Sequence, residues 1–322
     1  MLESQGQNNV NDQEIKDQKR GIKKLDSILN ENDVLRDLKI KIDKYQKRRD
    51  EIRGKIKDAI QAGEIDPSES CEEKVKRFLE LEKEMEDETG MRYSELEWFY
   101  QREKNKQFGL NSERLEEARR KLGEFIKYPR SAAYEAILSI VEIILGENLT
   151  GRTIVEIGPG DTGTEALAYF ASKGANAVGL GPHRKISHYE EEVHGQKVRL
   201  TGGNWDNLTE VMGGEKVDIV YYTFMDPSPE LGGKFEGDKK GFAKHVIREM
   251  YQVLKSGGCC IGHNPCGYGG EFLIPPEMFP DNEYDKMTFL DSSLIISDSI
   301  KPVVEREDLG FGVLHVCQKK EL

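Results

Sequence analysis

Between Thr153 and Asp161 the chain reads Thr153-Ile154-Val155-Glu156-Ile157-Gly158-Pro159-Gly160-Asp161, and no other stretch constrains its fold as tightly. The β-branched residues that open it favour a strand. The glycines then permit a sharp turn and a close approach of backbone to a ligand. A helical stretch over 165–173 follows, so the turn leads into a helix N-terminus, whose free N–H groups suit the polar end of a ligand. Further apolar runs recur downstream: Ala177-Val178-Gly179-Leu180, Val198-Arg199-Leu200, Val217-Asp218-Ile219-Val220-Tyr221-Tyr222 and Cys259-Cys260-Ile261-Gly262. Helical stretches such as 244–254 separate them. Strands that are apolar throughout and alternate with helices predict an α/β domain whose parallel sheet is buried on both faces. Two last candidate strands, around Leu294-Ile295-Ile296 and over 313–317, have no clear helix between them and suit antiparallel pairing at the edge.

The first 130 residues are different. They are crowded with Lys, Arg, Glu and Asp, and the shift in composition divides the chain into a charged α-helical region, 1–130, and an α/β domain, 131–322. About the first 20 residues are polar enough to lack order. An apolar seam then runs through Leu35, Leu38, Ile42, Tyr45, Ile52, Ile56 and Ala59, interrupted by Arg49, which predicts a helix burying one narrow stripe. Gly63 and Pro67 break it, and Ser68 or Ser70 suits the cap of a second helix through Val75, Phe78, Leu79 and Met85. An aromatic segment with Tyr93, Trp98 and Tyr100 precedes a turn at Gly109, and Asn111 or Ser112 starts a helix through Leu115, Ala118 and Leu122. Such helices suit a small bundle or a helical hairpin with extensions. They serve as a dimerisation arm or active-site lid, or they pack on the second domain; periodicity alone does not choose.

Composition sets outer limits. A net charge of −12 argues against a general nucleic-acid binder, which needs a basic face. The longest apolar candidate for a membrane span, Ala132 to Leu145, is interrupted by Glu135 and Glu142 and falls short of the ~20 residues required. No secretory signal is legible, so the expected location is the cytoplasm. Five irregularly spaced cysteines do not read as a disulfide framework.

Gly158, Gly160 and Gly163 also satisfy G-x-G-x-x-G, which keeps a dinucleotide site in view. The surroundings of the motif separate the alternatives. Glu156 stands two residues before the first glycine, Val217-Asp218-Ile219-Val220 opens the fourth strand, and Val253-Leu254-Lys255-Ser256-Gly257-Gly258 leads into the fifth. In combination this resembles the class I S-adenosylmethionine (SAM)-dependent methyltransferases, from about Thr150 to Gln318. The resemblance implies a Rossmann-like seven-stranded sheet with antiparallel last strands, here preceded by the α-helical region, and SAM held over the C-terminal strand ends. It implies that Glu156, Gly158, Gly160 and Asp161 surround the methionine part of SAM, and that Asn204, Trp205 and Asp206 stand where the family contacts adenine. One position departs from the family: Gly181 occupies the end of the second strand, where an acidic residue usually holds the ribose. Gly181 followed by Arg184 and Lys185 is also what an NADP 2′-phosphate would favour.

Methyl transfer from a sulfonium needs alignment of the nucleophile and removal of a proton. Asp226, in Thr223-Phe224-Met225-Asp226-Pro227-Ser228-Pro229, stands at a position that resembles the Asp/Asn-Pro-Pro-aromatic motif of amino-methyltransferases, although Ser228 and Pro229 depart from it. Asp226 equally suits a proline turn. After the fifth strand, His263 is a candidate base and Tyr268 a candidate hydrogen-bond donor or sulfonium contact. Cys260, His263 and Cys266 supply only three metal ligands in no established zinc spacing, so no metal is expected. Two glycine-rich insertions, 230–241 and 267–287, suit the walls of a substrate pocket. Tyr128-Pro129-Arg130 suits a closing segment, with Arg130 as a clamp for a substrate carboxylate. The expected protein is thus a SAM-dependent transferase methylating a small molecule at nitrogen or oxygen. Nicotianamine synthase-like aminocarboxypropyl chemistry, which shares the architecture, and a noncatalytic scaffold with a decayed SAM site are the alternatives.

Overall fold

The computed structural model describes residues 33–126, 132–181, 189–203, 205–223, 238–264, 274, 276–290 and 313–320. Among the described residues, four helices come first: α1 (Asp33–Gln61), α2 (Ser70–Thr89), α3 (Tyr93–Phe108) and α4 (Ser112–Leu122). The predicted seam of α1 is covered within the chain. Ile42 and Tyr45 join Leu81 and Met85 of α2 and Leu96 of α3 in one buried cluster, so α1 finds its partner helices without a second copy. Arg49, which breaks the seam, lays its guanidinium over the Phe78 ring at 4.5 Å, so the cation is accommodated on an aromatic face. Asn111 caps α4, its side chain accepting from the Arg114 N–H. Neither Ser68 nor Ser70 caps α2; Glu69 holds that position without a side-chain bond.

The α/β part runs α5 (Ala132–Leu145), β1 (Thr153–Ile157), α6 (Gly160–Ser172), β2 (Asn176–Gly181), β3 (Tyr189–Val193), β4 (Gln196–Gly202), α7 (Leu208–Val211), β5 (Val217–Thr223), α8 (Lys239–Val253), β6 (Leu254–Asn264), β7 (Tyr284–Leu290) and β8 (Val313–Lys319). The strands form one sheet in the order β3-β4-β2-β1-β5-β6-β8-β7. Strands β4, β2, β1, β5 and β6 are mutually parallel, and β8 runs antiparallel to both β6 and β7. The chain therefore has a Rossmann-like α/β fold with antiparallel last strands, in the arrangement the resemblance implies.

The strand count differs from expectation: among the described residues the sheet has eight strands, not seven. The additional one, β3, folds back on β4 through His194 and Gly195, both at positive φ, which is the backbone a two-residue hairpin turn requires. Its Glu190-Glu191-Glu192 run places like charges on the sheet edge and discourages pairing with another chain. Strand β7 lies partly within 267–287, which the sequence suggests is a loop; Leu294-Ile295-Ile296 lies outside the described residues.

One face of the sheet packs on α5 and α6, the other on α7 and α8. Helix α4 belongs to the first of these cores: Leu115, Ala118 and Leu122 join it, as do Phe108 and Leu110. The composition boundary at 130 is thus not a packing boundary. Glu135 and Glu142, which interrupt the apolar α5, are the attachment points. Arg119 of α4 bonds Glu135 at 3.0 and 3.1 Å, while Lys121 and the Tyr169 hydroxyl bond Glu142. Among the described residues no helix is long and apolar enough to cross a membrane.

Candidate functional site

Parallel strands end on a common edge, and register shows which residues meet there. Gly158 donates its N–H to Leu180 O at 2.7 Å, Gly181 stands opposite Gly202, and Thr223 stands opposite His263. The ends of β1, β2, β4, β5 and β6 therefore converge, as a ligand crevice in an open α/β sheet requires.

Gly158 has φ +70, a left-handed conformation open to glycine at little cost. Helix α6 begins at Gly160, earlier than the sequence suggests, so Gly160 and Asp161 lie in its first turn. Pro159 at the cap position contributes no side-chain hydrogen bond, and first-turn N–H groups have no partner within a helix. This turn offers donors and a partial positive charge to an anionic ligand group.

Glu156 lies beneath that turn and is completely buried. Its two carboxylate oxygens accept from two tyrosines: Tyr134 Oη of α5 donates to Oε1 at 2.8 Å, and Tyr221 Oη of β5 donates to Oε2 at 2.6 Å. Thr223 Oγ1 donates in turn to Tyr134 Oη at 3.1 Å. A Cβ at Gly163 would fall on the carboxylate, so the glycine lets the acid rest against the first turns of α6. Burial pushes the carboxyl up to about 8, opposed by the two tyrosine hydrogen bonds, which hold it down. Burial and the neighbouring Glu156 raise both phenols well above their ordinary range, so they remain donors at physiological pH.

Sequence reading singles out Glu156 but misses Tyr134, Tyr221 and Thr223. A usable signal existed: a glutamate and a tyrosine on fully buried strands each need a polar partner.

His263 is buried on β6, opposite Thr223 and on the same face of the sheet as Glu156 and Tyr221. On the opposite face, Gly262 lies against Tyr222 and His315, whose Oη and Nε2 are 3.0 Å apart. Asp206 is half-buried in a short turn after β4, and its carbonyl meets His245 Nε2 at 2.9 Å, tying that turn to α8. Gly181 ends β2 as expected. Asp226, Tyr268, Asn204, Tyr128 and Arg130 lie outside the described residues, as do the side chains of Asp161 and Trp205 and the segment that follows Gly181.

Two motif residues lie at the opposite end of the sheet from the crevice. The buried Asp218 accepts from Arg152 Nη1 at 3.0 Å, the Thr153 N–H at 2.9 Å and Lys255 Nζ at 2.6 Å. It clamps the starts of β1, β5 and β6 together. Gly258 passes close to three carbonyls, each 3.1 Å from where a Cβ would stand. This part of the motif has an architectural role.

No protein-family model matches the chain, and no curated protein matches it. Solved structures similar to it include a variant of the 16S rRNA (adenine(1408)-N(1))-methyltransferase from Catenulisporales acidiphilia, at 14% identity over 54% of this chain and 90% of that one, TM-score 0.35. A TehB-like SAM-dependent methyltransferase from Corynebacterium glutamicum is 14% identical over 53% and 82%, TM-score 0.33. The YcgJ protein from Bacillus subtilis is 14% identical over 55% and 95%, TM-score 0.32. At such scores the likeness adds nothing to the strand order, and it is the strand order that establishes the Rossmann-like fold.

Proposed function

We propose that the chain is a SAM-dependent transferase that methylates a small molecule at nitrogen or oxygen. The observation that carries this reading is the glycine turn between β1 and α6, where Gly158 at φ +70 brings backbone and an uncapped helix N-terminus to the convergent strand ends. The residues fit the amino-acid end of SAM. First-turn N–H groups suit its carboxylate, and Gly158 and Gly160 keep the approach free of side chains. Asn204 and Asp206 are, in this reading, the residues of the adenine side. Gly181 offers no carboxylate to the ribose hydroxyls, so that contact falls to another residue.

When bound, SAM supplies an activated methyl group on a sulfonium. The protein's part is to align the nucleophile, exclude water and take a proton. His263, adjoining Thr223 at the strand ends, is the base in this reading, with Asp226 holding a substrate amine and Tyr268 near the sulfonium. Tyr128 and Arg130, just before α5, would close over the substrate, Arg130 pairing with a carboxylate.

Calorimetry with SAM and with NADPH tests the reading on the full chain. SAM binding supports it; tight NADPH binding, or no SAM binding, overturns it. With SAM bound and small nucleophiles present, mass spectrometry should find S-adenosylhomocysteine. Methylthioadenosine instead would assign aminocarboxypropyl transfer.

A further inference from the structure

An acid sealed under a ligand-binding turn, with two phenols aimed into it, has more to do than fill space. Resting on the SAM reading above, we propose that Glu156, clasped by Tyr134 and Tyr221, is a specificity residue of this site. It ionises when a sulfonium ligand enters, releasing a proton to solvent, and so favours the sulfonium over the thioether that methyl transfer leaves behind.

The geometry prepares that ionisation. Both carboxylate oxygens already receive phenolic O–H donors, which stabilise the anion more than the neutral acid. The contact with Gly163 holds the carboxylate against the N-terminal turns of α6, whose partial positive charge acts in the same direction. Burial opposes ionisation and keeps the acid protonated near neutrality when no cation is close. The carboxylate and ammonium are common to SAM and its thioether product; the sulfonium charge that only SAM carries tips this balance, because a charge acts strongly through a low-dielectric interior. The thioether product lacks the sulfonium charge and tips it less.

Among the described residues, the groups facing Glu156 are few. They are Tyr134 from α5, Tyr221 and Thr223 from β5, Gly163 from α6 and Gly179 from β2, with His263 of β6 on the same sheet face. On α5, Glu135 and Glu142 are engaged by Arg119, Lys121 and Tyr169 at the α4 interface. Among the described neighbours His263 is the one imidazole on that sheet face, and Glu156→Gln leaves it in place.

The test measures SAM and S-adenosylhomocysteine affinities between about pH 6 and pH 9, with calorimetry in buffers of different ionisation enthalpy to count protons. The wild-type protein should release a fraction of a proton on binding SAM and less on binding S-adenosylhomocysteine. The preference for SAM should rise at least threefold across the range, a tenfold rise corresponding to each unit by which the sulfonium alone lowers the Glu156 pKa. Glu156→Gln should flatten both signals. Tyr134→Phe keeps the buried ring but removes one donor to the anion, and should move the rise to higher pH. A wild-type preference that does not change with pH, or a Glu156→Gln protein that still releases the proton, overturns this proposal and leaves the SAM reading standing. Failure to bind either nucleoside overturns that reading, and this proposal with it.

Discussion

Replacing Glu156 by glutamine should stabilise the protein at alkaline pH. In the unfolded chain this carboxyl ionises near its ordinary value of 4.5, whereas in the fold burial pushes it up to about 8. Between those values the folded protein holds a proton that the unfolded chain has lost, so stability falls as pH rises. At roughly 1.4 kcal/mol for each pKa unit, the fall is about 5 kcal/mol across the whole window and about 3 kcal/mol by pH 7. Glutamine has the same shape and no proton to lose. Like the protonated acid it replaces, its amide accepts from one tyrosine and donates to the other, and fitting an amide NH2 in place of the acid O–H costs about 1 kcal/mol. The variant should be marginally less stable near pH 5, equal to wild type a little above it, and about 4 kcal/mol more stable at pH 8 and beyond. Urea unfolding of both proteins at about pH 5, 7 and 9 measures the difference directly. A difference that is constant with pH, or that moves in favour of wild type on the alkaline side, refutes the assignment of a buried, protonated carboxyl.

Three further outcomes follow from other contacts. Asp218→Asn removes the charge that Arg152 and Lys255 share and should destabilise by about 2–4 kcal/mol in chemical unfolding, while SAM affinity stays within about twofold because the clamp lies at the far end of the sheet. Gly262→Ala forces a methyl onto Tyr222 and His315, and its thermal transition should drop by the equivalent of about 1–3 kcal/mol. Lys104 of α3 is buried and donates to Thr288 O of β7, and burial pushes its amine down to about 7. Folded-state deprotonation precedes that of the unfolded chain, so wild-type stability should rise from about pH 7 toward pH 10; Lys104→Met should lack that rise in unfolding experiments over the same range.

The sequence alone determined the α/β class, the crevice and the turn that opens it. Those depend on local chemistry: β-branched runs, a glycine that takes positive φ, and a helix that follows the motif. It also announced a charged helical region, but composition cannot tell a solvated helix from one whose other face joins a core, and α4 does join it. Strand β3 was hidden because Tyr189-Glu190-Glu191-Glu192-Val193 has little apolar signal, and its pairing rests on the turn at His194-Gly195. Only the tertiary structure decided what Glu156 touches. Tyr134 and Tyr221 stand 22 and 65 residues away, brought into contact by the docking of α5 and the register of β5 against β1. A buried carboxyl takes its protonation from its surroundings, and those surroundings are assembled from segments that no local pattern links.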